Sequence, residues 1–410
     1  MGNPAFTKKH WFVLVAVSLM IGSSLGLLTN GNGVFYAPMS RDLGVPLGSI
    51  SLHNTFKAFS TAFVALTIPK FVERFGHKLL LFVGIASGTL GTFFMGYVEN
   101  INMIYILGAI RGIGTAYFSL VPMSMILTRW FYKKQGLATG LASGTSGIIG
   151  SIFAPILTVL IESIGWRYTF FVKSFFILLL GLPILLLPFK LDPADEGLLP
   201  YGYERDIEKQ DTLHKPENNN GALTFVLVVL LFVSFINTFI MYMNSHFPAY
   251  GESVGLKPET ASLMLSGAMV GNLVWKAIYG LLSDKMGPVY SALITMSVPF
   301  LAITSMVLFQ EPIPLIFSSF LFGGTFAISG VALPLLSAHF FGPIMGAKVF
   351  AKANFLSAFG GAIGVGVTGY VYDYSGSYTP AFMVALLFLI LNGLLLYLAN
   401  RYFKKENNLN

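Results

Sequence analysis

Six basic side chains lie inside long apolar segments of this 410-residue chain. They are Lys57, Arg111, Lys173, Lys276, Lys348 and Lys352. The 18 Asp and Glu residues fall in the polar segments or near the ends of the apolar ones. A charge at the centre of a bilayer costs at least about 2.5–3.5 kcal/mol. Because all the charges within these segments are positive, we expect them to bind something negatively charged.

Lys276 is the most informative of these bases. It lies four residues after Asn272, so the two side chains share one face of a helix. Snorkelling would require Lys276 to reach the charged turn at Asp284, about 12 Å along the helix. We therefore favour a functional role for Lys276, as is usual for a charge within a membrane helix.

The other bases differ in the role expected of them. Lys57 follows His53 and Asn54 on one polar face, which either contacts a ligand or bridges to a neighbouring helix. Arg111 lies near the middle of its segment, with direct ligand contact as one of its possible roles. Lys173 is expected to snorkel to the outer surface and Lys348 to lie at the cytoplasmic interface.

Several uncharged polar residues also fall in apolar segments. They are Asn30 and Asn32 in the first segment, Tyr117 in the fourth, and Asn237 and Asn244 in the seventh. Each either contacts a ligand or makes interhelical contacts, where a hydrogen bond contributes about 0.6 kcal/mol on average.

Composition excludes most other classes of function. Hydrophobic residues make up 55% and charged residues 10% of the chain, against about 25% charged in soluble proteins. There is no cysteine, and no two of the six histidines have metal-binding spacing on one helix. Gly112 and Gly114 lie within an apolar segment and do not form a nucleotide loop. We therefore expect no enzyme activity, cofactor or metal, and no nucleic-acid partner.

A membrane span needs about 20 mostly apolar residues, and the chain contains twelve such segments. They run approximately over 11–38, 49–70, 79–98, 103–128, 136–162, 168–189, 222–249, 260–282, 289–309, 312–338, 346–371 and 378–400. The polar stretch 190–220 separates the sixth from the seventh. The sequence thus predicts an all-α membrane protein with six-helix bundles over 1–189 and 221–410, joined by a linker.

The distribution of basic residues predicts the orientation. With a cytoplasmic N-terminus, sixteen Lys and Arg residues lie inside, and only Arg41, Arg167 and Lys257 lie outside. This bias places both termini and the linker in the cytoplasm and accounts for the net charge of +7. The apolar run after Lys8 and Lys9 is too long for a cleavable signal peptide.

A short motif occurs once in each half. Glu73, Arg74 and Gly76 follow the second segment, and Asp284, Lys285 and Gly287 follow the eighth, 211 residues later. Pro69 and Gly280 occupy equivalent positions, each four residues before the acid. Such turns, in which an acid caps a helix or pairs with a base, resemble the cytoplasmic motif of the major facilitator superfamily. The resemblance implies two parallel six-helix repeats.

Three further stretches resemble the monocarboxylate and oxalate/formate branch of that superfamily, including its bacterial members. They are Gly33-Val-Phe-Tyr36, the run from Gly112 through Arg129-Trp-Phe-Tyr-Lys-Lys134 to Gly140, and Asp192-Pro-Ala-Asp-Glu-Gly197 continuing to Gly202. In this branch a base on the eighth helix holds the substrate carboxylate. That role carries over to Lys276, with Asn272 replacing an acid. Lys352 lies one residue from the position of a substrate-binding lysine on the eleventh helix.

The resemblance implies a secondary transporter in the bacterial inner membrane. Its expected substrate is a small organic anion of the lactate, pyruvate or formate type, or a small dicarboxylate. Proton symport and anion exchange both remain open, and a monomer is expected. For symport the substrate, His53 or a lysine must carry the proton, since no acid apart from Glu162, at the outer end of the fifth segment, is near enough to do so. The alternatives are an exporter of drugs or other amphipathic metabolites, and a non-transporting sensor of the same fold.

Overall fold

The computed structural model describes residues 7–132, 135–202 and 220–406. Most of the predicted linker, 203–219, lies outside these ranges. So do five of the bases counted on the inside, namely Lys133, Lys134, Arg205, Lys209 and Lys215. Within the described ranges the chain is helical, and its one isolated β-bridge joins Phe131 to Tyr201. The predicted all-α class is confirmed.

The described chain forms twelve long helices, as predicted. They are α1 (Lys8–Leu43), α2 (Leu47–Ala65, extended by Ile68–Phe75), α3 (His77–Tyr97), α4 (Ile101–Trp130), α5 (135–164), α6 (166–186), α7 (Gly221–Ser253), α8 (Pro258–Met286), α9 (Pro288–Leu308), α10 (Pro312–Gly342), α11 (Lys348–Ser375) and α12 (Thr379–Glu406). Ten apolar segments of the described chain are long enough to cross a membrane. One of them covers both α5 and α6, nine cover one helix each, and α2 is the helix that lies in none of them. The polar residues His53, Asn54 and Lys57 lie on α2.

The predicted repeat extends over whole helices. From α2 to α8 both ends move by 211 residues, from Leu47 to Pro258 and from Phe75 to Met286, and α3 and α9 keep the same offset. Gly76 and Gly287 have nearly identical backbone angles, φ 81°, ψ 162° and φ 81°, ψ 161°. This region of φ and ψ is open essentially to glycine alone, which explains the residue type at both turns.

Besides α2, which is broken between Ala65 and Ile68, four helices are interrupted. A π turn (Gly22–Leu27) and a 3₁₀ turn (Asn30–Phe35) interrupt α1, Phe118 and Ser119 interrupt α4, a 3₁₀ turn (Tyr242–His246) interrupts α7, and a π turn (Ile328–Ala332) interrupts α10. By the 211-residue offset, the breaks in α7 and α10 match the 3₁₀ turn of α1 and the break in α4. Interrupted helices expose backbone carbonyls and are typical of binding sites in transporters.

Glycines allow some helices to pack closely. A methyl group added to Gly360 or Gly364 of α11 would lie 2.2 or 2.4 Å from a carbonyl oxygen of α7. In the other half, a methyl group on Gly22 or Gly26 of α1 would meet Ile149 of α5. Gly360 and Gly364 of α11 thus lie at a close helix contact, whereas an added methyl on Gly140 of α5 would have no neighbour within 4 Å.

The helices form two compact units. The first comprises Met1–Pro38 and Phe59–Leu213, and the second comprises Met39–Ala58 and His214–Asn410. The units differ from the predicted domains in placing the first part of α2 with the second unit. There Ser51 and Thr55 donate hydrogen bonds to carbonyls of α11 (3.3 and 2.5 Å), and Asp373 accepts from the first N–H groups of α2.

Residues 190–202, the linker strap, fold against the first unit. The Tyr201 N–H donates to the Trp130 carbonyl (2.9 Å), and the Tyr132 N–H donates to the Tyr201 carbonyl (3.0 Å). His10 of α1 accepts from Thr7 through Nδ1 and donates from Nε2 to the Leu199 carbonyl (3.1 Å). Two of the stretches that carry the branch resemblance therefore contact each other.

Candidate functional site

Two buried cations of the first unit converge on one amide. Arg111 of α4 and Lys173 of α6 are both 0% exposed. Arg111 Nη2 lies 2.6 Å and Lys173 Nζ lies 2.8 Å from Oδ1 of Asn32 on α1. The predicted candidates Asn32 and Arg111 are thus brought together, and Lys173 joins them.

The broken backbone of α1 supplies the remaining contacts. Arg111 Nη2 also donates to the Leu28 carbonyl (3.0 Å), and Lys173 Nζ donates to the Gly31 carbonyl (2.9 Å). These oxygens are turned toward the cations where the helix passes from its π turn into its 3₁₀ turn. On α3, Gly91 leaves room for the Arg111 stem, since an added methyl would lie 2.8 Å from Cγ.

The prediction that Lys173 snorkels to the surface is wrong. Its ammonium group lies 4.8 Å from the ring centre of Phe35 and 5.8 Å from that of Phe170, in addition to its hydrogen bonds. Hydrogen bonds and aromatic faces replace part of the hydration that a buried ammonium loses. A sequence signal was available, because Lys173 shares a helix face with the buried residues Phe170 and Ile177.

The second unit places Lys276 of α8 beside a glycine of α10. A methyl added to Gly330 would lie 3.0 Å from Lys276 Cε and 3.5 Å from Nζ. Asn272, one turn earlier on α8, is buried, and its Oδ1 and the Trp275 Nε1 lack hydrogen-bond partners. Lys276 itself is partly buried, and within the described ranges it forms no hydrogen bond or ion pair.

The π turn of α10 connects this lysine to α7. Asn237 Nδ2 donates to the Thr325 carbonyl (3.0 Å) and to Ser329 Oγ (2.7 Å), while Gly330 faces Lys276. Asn237 Oδ1 is buried and has no hydrogen-bond partner. The predicted candidates Asn237 and Lys276 therefore both lie against one irregular turn, at the neighbouring residues Ser329 and Gly330.

The polar face of α2 is buried. His53 donates from Nδ1 to the Ile50 carbonyl (2.6 Å), and His53, Asn54 and Lys57 are 2–4% exposed. The sequence allowed a polar bridge from α2 to a neighbouring helix. Hydrogen bonds do join α2 to α11, and those described come from Ser51 and Thr55 of α2.

Other candidates lie elsewhere. The Tyr117 hydroxyl is 2.8 Å from Thr67 Oγ1 and its ring packs on Phe71, as in the packing interpretation. Lys352 is exposed near the start of α11. Glu73 and Asp284 of the repeated turns are also exposed, and neither forms an ion pair among the described residues.

Sequence and structure comparisons identify the family. The sequence pattern of the Major Facilitator Superfamily matches residues 12–364, with a second match over 227–410. The oxalate:formate antiporter of Oxalobacter formigenes is 25% identical, with 88% of this chain and 85% of that protein covered. Monocarboxylate transporter 13 of Bos taurus is also 25% identical, covering 93% and 87%. These relatives confirm the predicted resemblance to the monocarboxylate and oxalate/formate branch.

The fold has a solved counterpart. A bacterial homologue of the human lysosomal transporter Spinster superposes with a TM-score of 0.73 at 15% identity, covering 98% of this chain and 99% of that one. The matched fold, the repeated halves and the family pattern agree. The chain belongs to the Major Facilitator Superfamily and is a multi-pass membrane transporter rather than an enzyme.

Proposed function

We propose that this transporter moves a small organic anion by alternating access. The substrate is a monocarboxylate of the lactate, pyruvate or formate type, or a small dicarboxylate, and transport occurs as proton symport or anion exchange. The bacterial inner membrane is the proposed location, with both termini in the cytoplasm. The names of the relatives, an oxalate:formate antiporter and monocarboxylate transporters, support this substrate class.

The environment of Lys276 carries the proposal. An ammonium group within a membrane helix is costly unless it is paired, and here the described residues provide it with no partner. Trp275 Nε1, the adjacent side chain, is a buried donor without an acceptor. A carboxylate is an acceptor only and can pair with the Lys276 ammonium group. We therefore assign Lys276 as the carboxylate anchor and Asn272 as its polar companion on the same face.

Other predicted residues are proposed as secondary substrate contacts. Lys57 and His53 supply buried polar groups of α2, and Asn237 borders the π turn that faces Lys276. Closure around the unpaired Lys276 ammonium group is unfavourable within the membrane, and a bound anion offsets that charge. This favours exchange or proton-coupled symport over uniport.

The test is carboxylate binding and transport by the purified protein. Thermal unfolding is measured across a panel of small carboxylates for wild type, Lys276→Ala, Lys276→Arg and the exposed control Lys348→Ala. We expect one carboxylate class to raise the unfolding temperature of wild type and Lys348→Ala, not of Lys276→Ala, and partly of Lys276→Arg. Counterflow in proteoliposomes, with and without a pH gradient, then separates exchange from symport. Stabilisation by neutral or cationic amphiphiles, with none by any carboxylate, would replace the proposal with the exporter.

A further inference from the structure

Arg111 has more hydrogen-bond donors than its surroundings use. Its Nη2 donates to the Leu28 carbonyl and to Asn32 Oδ1, while Nε and Nη1 lie buried without a partner. A guanidinium carries five N–H donors and no acceptor. Buried donors are almost always paired in native proteins, and leaving them unpaired destabilises the fold. The geometry therefore calls for a further acceptor beside Arg111.

The charge around Arg111 indicates what kind of acceptor this is. Lys173 places a second cation on the same amide oxygen, and the oxygens described around the pair belong to Asn32, Leu28 and Gly31, all neutral. The sequences of α1, α4 and α6 contain no Asp or Glu apart from Asp42 in the last turn of α1. Two cations buried together favour an anion over a neutral acceptor.

We propose that Arg111 binds a small anion within the first unit, with Lys173 and Asn32 as positioning residues. The ligand is a small anion, either a carboxylate or a halide, because the unpaired Arg111 nitrogens are buried. Lys173 draws Asn32 Oδ1 toward itself and thereby fixes the amide that orients Nη2. This inference goes beyond the proposed function, since the site requires no contribution from Lys276.

The experiment removes the proposed transport anchor first. Purified Lys276→Ala protein is titrated with sodium formate, acetate, chloride or bromide, each replacing sodium gluconate at constant ionic strength, and the unfolding temperature is recorded. We expect a saturable rise with at least one small anion. Adding Arg111→Lys or Lys173→Met to this background should weaken the apparent affinity by about tenfold or more, because the oriented guanidinium or its support is lost. Adding Lys348→Ala should leave it unchanged.

The outcomes separate the possible ligands and the two proposals. Saturation with formate or acetate alone identifies a carboxylate site, and saturation with chloride and bromide identifies a halide site. No saturable response to any anion, or an equal response in the Arg111 and Lys173 variants, would overturn the inference. Failure of wild-type protein to transport carboxylates, with this response intact, would count against the proposed function alone.

A second variant protects the test against misfolding. Gly91→Ala adds a methyl 2.8 Å from Arg111 Cγ, so it shifts the arginine while keeping both cations. In the Lys276→Ala background it should also weaken anion affinity. Helical circular dichroism and size-exclusion profiles in gluconate show whether each variant is folded. A folded Gly91→Ala protein with unchanged anion affinity would contradict the assignment to Arg111.

Discussion

Burial separates the six intramembrane bases into three groups. Lys57, Arg111 and Lys173 are at most 3% exposed, Lys276 is partly buried, and Lys348 and Lys352 are exposed. Their shared sign and membrane position follow from the sequence. The burial of each side chain does not follow from the sequence, because it depends on how the helix is rotated about its axis. A shift of one residue along a helix rotates the side chain by about 100°.

Gly330 is expected to control the reach of Lys276. In Gly330→Ala the new methyl would lie 3.0 Å from Lys276 Cε, so the flexible end of the lysine must move. We predict an apparent affinity for the transported carboxylate about fivefold lower, equivalent to about 1 kcal/mol. Concentration-dependent uptake into proteoliposomes measures it.

A matched control exists in the same unit. Gly393 of α12 has no neighbour within 4 Å of an added methyl, so Gly393→Ala should transport with wild-type affinity. Equal affinities in the Gly330 and Gly393 variants would show that Gly330 does not set the position of the anchor.

Among the elements, the turns between helices repeat more closely than the sequence indicates. Gly165, between α5 and α6, has φ 83° and ψ 159°, close to the values at Gly76 and Gly287. An acid stands three residues before each of these glycines: Glu73, Glu162 and Asp284. The same turn thus joins α2 to α3, α5 to α6 and α8 to α9. In the first half it recurs after three helices, whereas Gly376 between α11 and α12 has φ 70° and ψ 7°. The acid-x-x-Gly spacing was the signal that sequence reasoning missed at Gly165.

The repeated turn should tolerate no side chain. In Gly287→Ala nothing lies within 4 Å of the added methyl, so the cost is the positive φ itself, about 1–3 kcal/mol. We expect a lower thermal unfolding temperature for this variant. Gly393→Ala, at an equally open position inside a helix, should instead be neutral or more stable by about 0.5–1 kcal/mol. Destabilisation of both variants to the same extent would argue against the backbone explanation.

The linker strap is expected to stabilise the first unit through His10. His10→Phe preserves an aromatic ring against Trp130 but removes the hydrogen bonds to Thr7 and Leu199. Two such bonds contribute about 1–3 kcal/mol together. We therefore predict a lower unfolding temperature and faster proteolysis within 190–202, while Trp11→Phe, at a residue 52% exposed, serves as the control. An unchanged cleavage rate in His10→Phe would show that the strap is held without this histidine.

For the whole molecule, hydropathy and charge together define a transporter of two related halves. The 211-residue offset relates α2 to α8 and α3 to α9, and it also relates the breaks in α1 and α4 to those in α7 and α10. Each unit nevertheless has its own cationic centre, Arg111 with Lys173 in the first and Lys276 in the second. The halves therefore share a backbone plan, while the charged side chains placed on it differ.

The chain contains no cysteine, so the predicted orientation can be tested by labelling single introduced cysteines without labelling of native ones. Tyr374, 97% exposed in the last turn of α11, should lie outside the cell, and Met286, 41% exposed at the end of α8, should lie inside. We expect a membrane-impermeant maleimide to label Tyr374→Cys in intact cells and Met286→Cys only after permeabilisation. The reverse pattern would place the termini outside.

The sequence by itself determined the number of helices, the repeat and the single sign of the buried charges, and its resemblance to a known family indicated the transporter class. These properties follow from apolar length, composition and local motifs, which need no knowledge of how helices pack. The tertiary structure alone decided that Asn32, 79 residues from Arg111 and 141 from Lys173, joins them, and that Gly330 faces Lys276. The breaks in α1 and α10 and the rotation of each helix make these contacts, and both depend on packing between segments far apart in the chain.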